Sequence, residues 1–206
     1  AGADGLSVYD STVSGLVIST FKGVVNGMSA SARSSRWANA GIVTEVRPED
    51  FAHLHEEWGV LAGLKFRQQV ERHAAAVVGG GGTAPAQRLA DFVARRRSFD
   101  LPRTSYLPKA VVGSGDEWLP EFITESLRGG FKSFGHKMKG FVTNQAQIIG
   151  VESRTSTPVR IPRDSETLMH TQVEGLFPAG EGAGYAGGII SAALDGERIA
   201  EAVAQY

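Results

Sequence analysis

The chain has 206 residues, 21 lysines and arginines against 22 aspartates and glutamates, a formal net charge of −1, and no cysteine. A near-neutral balance disfavours nucleic acid or another polyanion as partner, and the lack of thiols excludes a disulfide framework, a thiolate metal site and a CxxC redox pair. With 42% hydrophobic and 21% charged residues the composition is that of an ordinary folded core, and no apolar run has the length of a membrane span.

The N-terminal part reads as strands. SGLVIST at 14–20 and GVVNGMS at 23–29 are short and rich in valine and isoleucine, with a turn predicted between them, and AGIVTEV at 40–46 is another. Asn26-Gly27 is a turn signal by itself. Arg47-Pro48-Glu49-Asp50 closes the strands, and helix follows in two pieces. The second piece, 61–77, places Phe66, Val70 and Ala74 on one face. Gly79 to Gly82 break it. The stretch 77–84 nominally fits GxGxxA, but its lead-in is helical rather than a strand. Thr83 as N-cap and Pro85 in the first turn account for a helix at 85–96, so a connection is expected here and not a phosphate loop.

That helix would bury Leu89, Phe92 and Val93 and carry Arg95, Arg96 and Arg97 on its wet face. Residues 100–112, with Pro102 and Pro108, read as an irregular crossing. A helix at 119–127 is expected to be interrupted by Gly129-Gly130. Phe131, Phe134 and Met138 continue at helical spacing as a core stripe. Residues 147–151 and 175–179 read as strands, and no internal repeat is visible. The histidines, at 53, 55, 73, 136 and 170, form no HExxH, and His53 and His55 beside Glu56 and Glu57 read as a solvated helix start. No metal site is expected.

The chemistry concentrates in the tail, GLFPAGEGAGYAGGIISAALDGERIAEAVAQY. A strand at 175–179 would lead into a loop carrying Gly180, Gly182, Gly184, Gly187 and Gly188, and a helix would follow at once. Such an order brings backbone N–H groups and a positive dipole end against an anionic or electron-rich ligand, worth about 0.3–2 kcal/mol from the dipole alone. Glycines this dense cost too much chain entropy for a turn without a ligand. The helix is expected to bury Ile189, Ala193, Gly196, Ala200 and Val203 as one stripe. Upstream lies Glu152-Ser153-Arg154-Thr155-Ser156 with Arg160 and Arg163, and two readings stand: Arg154 as a fork for an anionic group, or Glu152, Arg154 and Arg160 as ion pairs that pin a loop.

At GEGAGYAGG and ESRTS the chain resembles the C-terminal half of FAD-dependent dehydrogenases, NAD(P)/FAD-dependent oxidoreductases of a branch found in bacteria and plastids. VVNGMSASARSSRWANAGIV, LAGLKFRQQVE, APAQRLADFV, LPEFITESL and VESRTSTPVRIPRDSETL agree in the same order, so the resemblance runs over about residues 24–203. It implies an α/β fold. Residues 1–150 would be an α+β substrate-domain-like region of antiparallel strands and helices. Residues 151–206 would be the C-terminal portion of a Rossmann-type FAD-binding domain, its strand–loop–helix. The N-terminal dinucleotide-binding unit is absent from this chain.

The resemblance implies FAD as cofactor, held by Gly180, Glu181, Gly182, Gly184, Gly187, Gly188 and Ile189 with Arg154 and Thr155 beside it. Glu181 would accept hydrogen bonds from ribityl or ribose hydroxyls. Asn26, Met28 and Arg33 would lie in the substrate region, without the cysteines that commonly precede NGMS in the family. No side chain stands out as a catalytic base. The function implied is part of an FAD-dependent oxidoreductase or dehydrogenase moving hydride between an organic substrate and flavin, with NAD(P)H open as electron partner. The alternative is a non-catalytic structural or assembly subunit of a larger complex, derived from such an enzyme and free of flavin, with protein subunits as partners. Either fits a soluble protein of a prokaryotic cytoplasm or a plastid stroma. A start at Ala1 reads as a processed chain or a piece of a longer one.

Overall fold

The computed structural model describes residues 6–12, 15–21, 24–29, 36, 38–153, 157–185 and 188–206, with side chains described from residue 36 onward. The chain divides into two compact units, Ala1–Asp50 with Arg67–Ser153, and Phe51–Phe66 with Arg154–Tyr206.

The first unit holds all the described strands. β1 (Leu6–Thr12) pairs antiparallel with β4 (Asn39–Thr44), from Leu6 opposite Thr44 to Thr12 opposite Asn39, with a bulge between Val8 and Ser11. β2 (Gly15–Phe21) and β3 (Val24–Ser29) form the hairpin that their valine-rich pattern predicts, Gly15 opposite Ser29. A further sheet has the order β6-β5-β7, in which β5 (Ala84–Arg88) lies parallel to β6 (Ala110–Val112) and antiparallel to β7 (Gln147–Ile149).

β5 corrects the helix predicted at 85–96. Pro85 sits inside a central strand, where proline is rare because it donates no ladder bond. Its carbonyl accepts the Gly150 N–H at 3.1 Å, and its neighbours Ala84 and Ala86 are buried. Gln87, fully buried, fastens the strand: Oε1 accepts the Gly115 N–H at 2.7 Å and Nε2 donates to the Arg96 carbonyl at 2.6 Å. Only then does α3 (Leu89–Val93) begin. Arg95, Arg96 and Arg97 therefore follow a helix end instead of lining a helix face, and they pair with Glu125, Asp91 and Glu117.

The tetraglycine is a connection from helix to strand. α2 (Ala62–Val77) ends in a Schellman motif, Gly80 N–H to the Ala75 carbonyl at 2.8 Å and Gly79 N–H to the Ala76 carbonyl at 3.2 Å. All of Gly79 to Gly82 have positive φ, between 68° and 81°.

α4 (Gly115–Trp118) follows Ser114, whose N–H donates to the Glu117 carboxylate at 3.0 Å. α5 (Glu121–Lys137) then runs unbroken through Gly129-Gly130. Two glycines cost such a helix about 1 kcal/mol each, and the burial of Ile123, Leu127, Phe131 and Phe134 along one face outweighs that cost. The core lies where Leu89, Phe92 and Phe131 meet, with Ile42, Phe134, Phe141 and Ile148 packed around them and Phe92 edge-on to Phe131. Met138, expected in that stripe, is 45% exposed, because α5 ends one residue before it.

A 3-10 segment, Pro48–Leu54, leads into α1 (His55–Trp58), and within the second unit Phe51 stacks between His55 and Phe66. His53 and His55 are exposed. From 157 to 179 the described backbone is irregular, held by local bonds. Asp164 Oδ1 accepts the Glu166 and Thr167 N–H groups, and His170 Nδ1 accepts those of Gln172 and Val173. Residues 175–179, expected as a strand, have no ladder partner among the described residues, and a strand exists only by pairing. A 3-10 turn, Gly180–Ala183, and α6 (Ile189–Gln205) complete the unit. No helix among the described residues is long and apolar enough to cross a membrane.

Candidate functional site

The turn that follows Ala179 is built from backbone. Ala179 is extended, Gly180 has φ +57°, and Gly184 closes the turn at φ +75°. The Gly184 N–H donates to the Glu181 carbonyl at 2.9 Å and the Tyr185 N–H to the Gly180 carbonyl at 3.1 Å. One side of the turn is stapled to the chain upstream: the Gly182 carbonyl accepts from the Ile161 N–H at 2.8 Å and the Ala183 carbonyl from Arg160 Nε at 3.1 Å.

The glycines of this turn differ in what requires them. Gly180 and Gly184 need their positive φ, and a Cβ on Gly184 would come 3.0 Å from Arg160 Cδ. Gly182 has no positive φ, and a Cβ there would meet nothing within 4 Å among the described residues. Among the described residues neither conformation nor packing asks for glycine at 182. Its bare backbone faces open space.

Beneath the turn lies a buried ion pair. Asp195 of α6 receives Arg163 in a fork, NH2 to Oδ1 at 2.6 Å and NH1 to Oδ2 at 2.9 Å, and Oδ2 also accepts the Gly180 N–H at 2.6 Å. Arg163 NH1 donates in addition to the Pro178 carbonyl at 2.8 Å, and the guanidinium carbon lies 3.9 Å from the Tyr185 ring centroid. The Arg163 hydrogen bonds hold the Asp195 carboxyl down to about 2, against the burial that would raise it.

α6 opens at Gly188, which is extended and joined to Ser191 by two bonds, Gly188 N–H to Oγ at 3.1 Å and Oγ–H to the Gly188 carbonyl at 2.9 Å. Its first turn carries no acidic side chain, so the positive end of its dipole is not neutralised locally. The stripe predicted as buried is corrected by one step. Asp195 and Ile199 are buried with Ala192 and Gly196 half-buried beside them, whereas Ile189 is 89% exposed and Ala193, Ala200 and Val203 are exposed too. Ile190 and Leu194 extend this exposed apolar face.

Gly180, Glu181, Gly182 and Gly184 thus form one turn, with Glu181 exposed, and Gly188 and Ile189 open the helix after it. Gly187, Arg154 and Thr155 lie outside the described residues, as does Arg33. Asn26 and Met28 stand two apart on β3, opposite Ile18 and Leu16, in the other compact unit. Of the arginines weighed as loop pins, Arg160 holds a carbonyl and lies over Tyr185, while the buried ion pair is made by Arg163, which that reading did not include. Sequence reasoning missed Asp195. Its signal was a carboxylate in register with Ala192 and Ile199 on a helix face, a placement that demands a cationic partner.

Residues 15–155 match the family model described as FAD-dependent protein, C-terminal domain-like. An uncharacterised protein of Clostridium beijerinckii is 41% identical over 180 residues, covering 86% of this chain and 33% of its own length. The chain therefore spans about a third of that relative. The family match ends before the glycine-rich turn.

Proposed function

The chain belongs to the family of FAD-dependent proteins with this C-terminal domain-like region, and on that premise we propose that it supplies the turn at 180–184 and the start of α6 to the FAD site of an oxidoreductase. The observation that carries the reading is Gly182: its carbonyl is held by the Ile161 N–H, yet a Cβ on it would meet nothing within 4 Å among the described residues. The residues present fit the group. Exposed Ile189 and Ile190 offer apolar surface to a ring system, and the first N–H groups of α6 offer donors and a positive dipole to its electron-rich edge.

FAD, when bound, supplies hydride acceptance or donation. Gly180, Gly182, Gly184 and Gly188, with Gly187, keep side chains out of the ring's way. Glu181, exposed on the turn, accepts hydrogen bonds from cofactor hydroxyls. Arg154 and Thr155 flank the cofactor, and Asn26, Met28 and Arg33 serve the organic substrate. The electron partner of such a site is a nicotinamide nucleotide or another carrier.

The test is the visible absorbance of oxidised flavin in the purified protein, followed by Gly182→Leu and Gly188→Leu. Both are expected to release flavin while thermal unfolding stays within about 1 kcal/mol of wild type, since surface changes usually stay small. Unchanged flavin content in both variants overturns the placement. The exposed apolar face at Ile190 and Leu194 favours a second reading, a flavin-free assembly subunit that buries this face against a protein partner. A colourless wild-type protein that refuses added FAD decides for it.

A further inference from the structure

The Arg163–Asp195 pair does more than the fold requires. Its side chains are 0% and 9% exposed, and two charges so placed are often replaceable by apolar residues with no loss of stability. An apolar pair, however, cannot orient a peptide plane. Arg163 takes the Pro178 carbonyl and Asp195 takes the Gly180 N–H, so both peptide groups flanking Ala179 are held by one ion pair. The same guanidinium underlies Tyr185 at the far end of the turn.

We propose that Arg163 and Asp195 are positioning residues that preset the turn at 180–184 for the flavin, acting through the backbone of residues 178–180 without touching the cofactor. The proposal rests on the flavin reading above. It distinguishes this carboxylate from Glu181: Asp195 shapes the turn from inside, and Glu181 faces outward from it. With the turn fixed before the ligand arrives, binding costs less ordering.

The experiment titrates FAD into the full-length protein by flavin fluorescence, records the visible band shape of the bound flavin, and follows amide hydrogen exchange over residues 178–185. Asp195→Asn keeps the side-chain shape and halves its acceptor capacity. It is expected to raise the FAD dissociation constant about tenfold, to alter the band shape, and to speed exchange at Gly180. Asp116→Asn, which weakens the ion pair to Arg128 in the other unit, serves as control. It is expected to lower the melting temperature with FAD affinity and band shape unchanged.

Should Asp195→Asn fail to fold, Arg163→Lys takes its place, keeping the charge but losing the fork. Faster exchange with unchanged FAD affinity and spectrum overturns the proposal and leaves the flavin reading standing. Equal losses of FAD affinity in the Asp116→Asn control also overturn it, because a merely structural effect would then suffice. A full-length wild-type protein that binds no FAD overturns the flavin reading and this proposal together.

Discussion

Two buried arginines, one in each compact unit, use the same parts for different ends. Arg128 donates to the Phe92 carbonyl at 2.8 Å, forks onto Asp116, reaches Glu125 and lies 4.7 Å from the Phe92 ring centroid. Arg163 likewise takes one carbonyl, one forked carboxylate and one ring. The carbonyl that Arg128 takes belongs to the last turn of α3, where it also accepts the Arg95 N–H at 3.2 Å, so the guanidinium braces a helix end that the backbone itself closes. Arg163 satisfies a carbonyl in a segment with no regular structure at all. Around Arg128 the carboxylates are 49% and 41% exposed, whereas Asp195 is 9% exposed. The first arrangement finishes a helix. The second holds a shape that no repeating hydrogen-bond pattern would hold.

The largest expected effect breaks this contrast outright. Arg163→Met strands a buried carboxylate and should cost about 3–5 kcal/mol in urea unfolding. Arg128→Met lets Asp116 and Glu125 return to water and should cost about 1–3 kcal/mol. Equal losses would mean that exposure of the partner does not separate the two sites.

A titration sharpens the same point. The folded Asp195 carboxyl lies at about 2, below its ordinary range. Its stabilisation is therefore complete above about pH 4 and lost as the pH falls toward 2, on the order of 2 kcal/mol in all. Acid unfolding of Asp195→Asn should lack this contribution, and a profile identical to wild type would contradict it. Asp116 is also lowered by Arg128, but it is half-exposed and should leave a smaller mark on the same curve. The smallest effect is a gain. Gly129 is exposed on α5 and nothing lies within 4 Å of a Cβ there, so Gly129→Ala should add about 0.5–1 kcal/mol by thermal unfolding.

What could be read beforehand was whatever rests on local pattern. The β2–β3 hairpin, β4, the long helix α2, β7 and the start of α6 after Gly188 follow from valine alternation, helical spacing and glycine punctuation. β5 was illegible because APAQR has little strand preference. It becomes a strand through β6 and β7, which lie more than twenty residues away in sequence. α5 was cut in two by weighing Gly129-Gly130 locally, before the packing of Phe131 and Phe134 could be counted.

In the candidate site the turn glycines were visible and their support was not. In the sequence Asp195 looks like any charge on a helix, because its partner sits 32 positions upstream in an irregular stretch. The apolar stripe was consequently drawn through Ile189 and Ala193, on the face that the described structure leaves open.

Gly79 to Gly82 carry one more consequence. Their backbone runs through the region that L residues avoid, and at Gly79, Gly80 and Gly81 the space around an added Cβ is empty. A comprehensive substitution scan should find Gly79, Gly80 and Gly81 intolerant of side chains, although a Cβ there would meet nothing within 4 Å among the described residues. Synthetic D-alanine, the mirror-image residue, should be accepted where L-alanine is penalised by about 1–2 kcal/mol. Handedness, and not crowding, would then be what the genetic code protects in that connection.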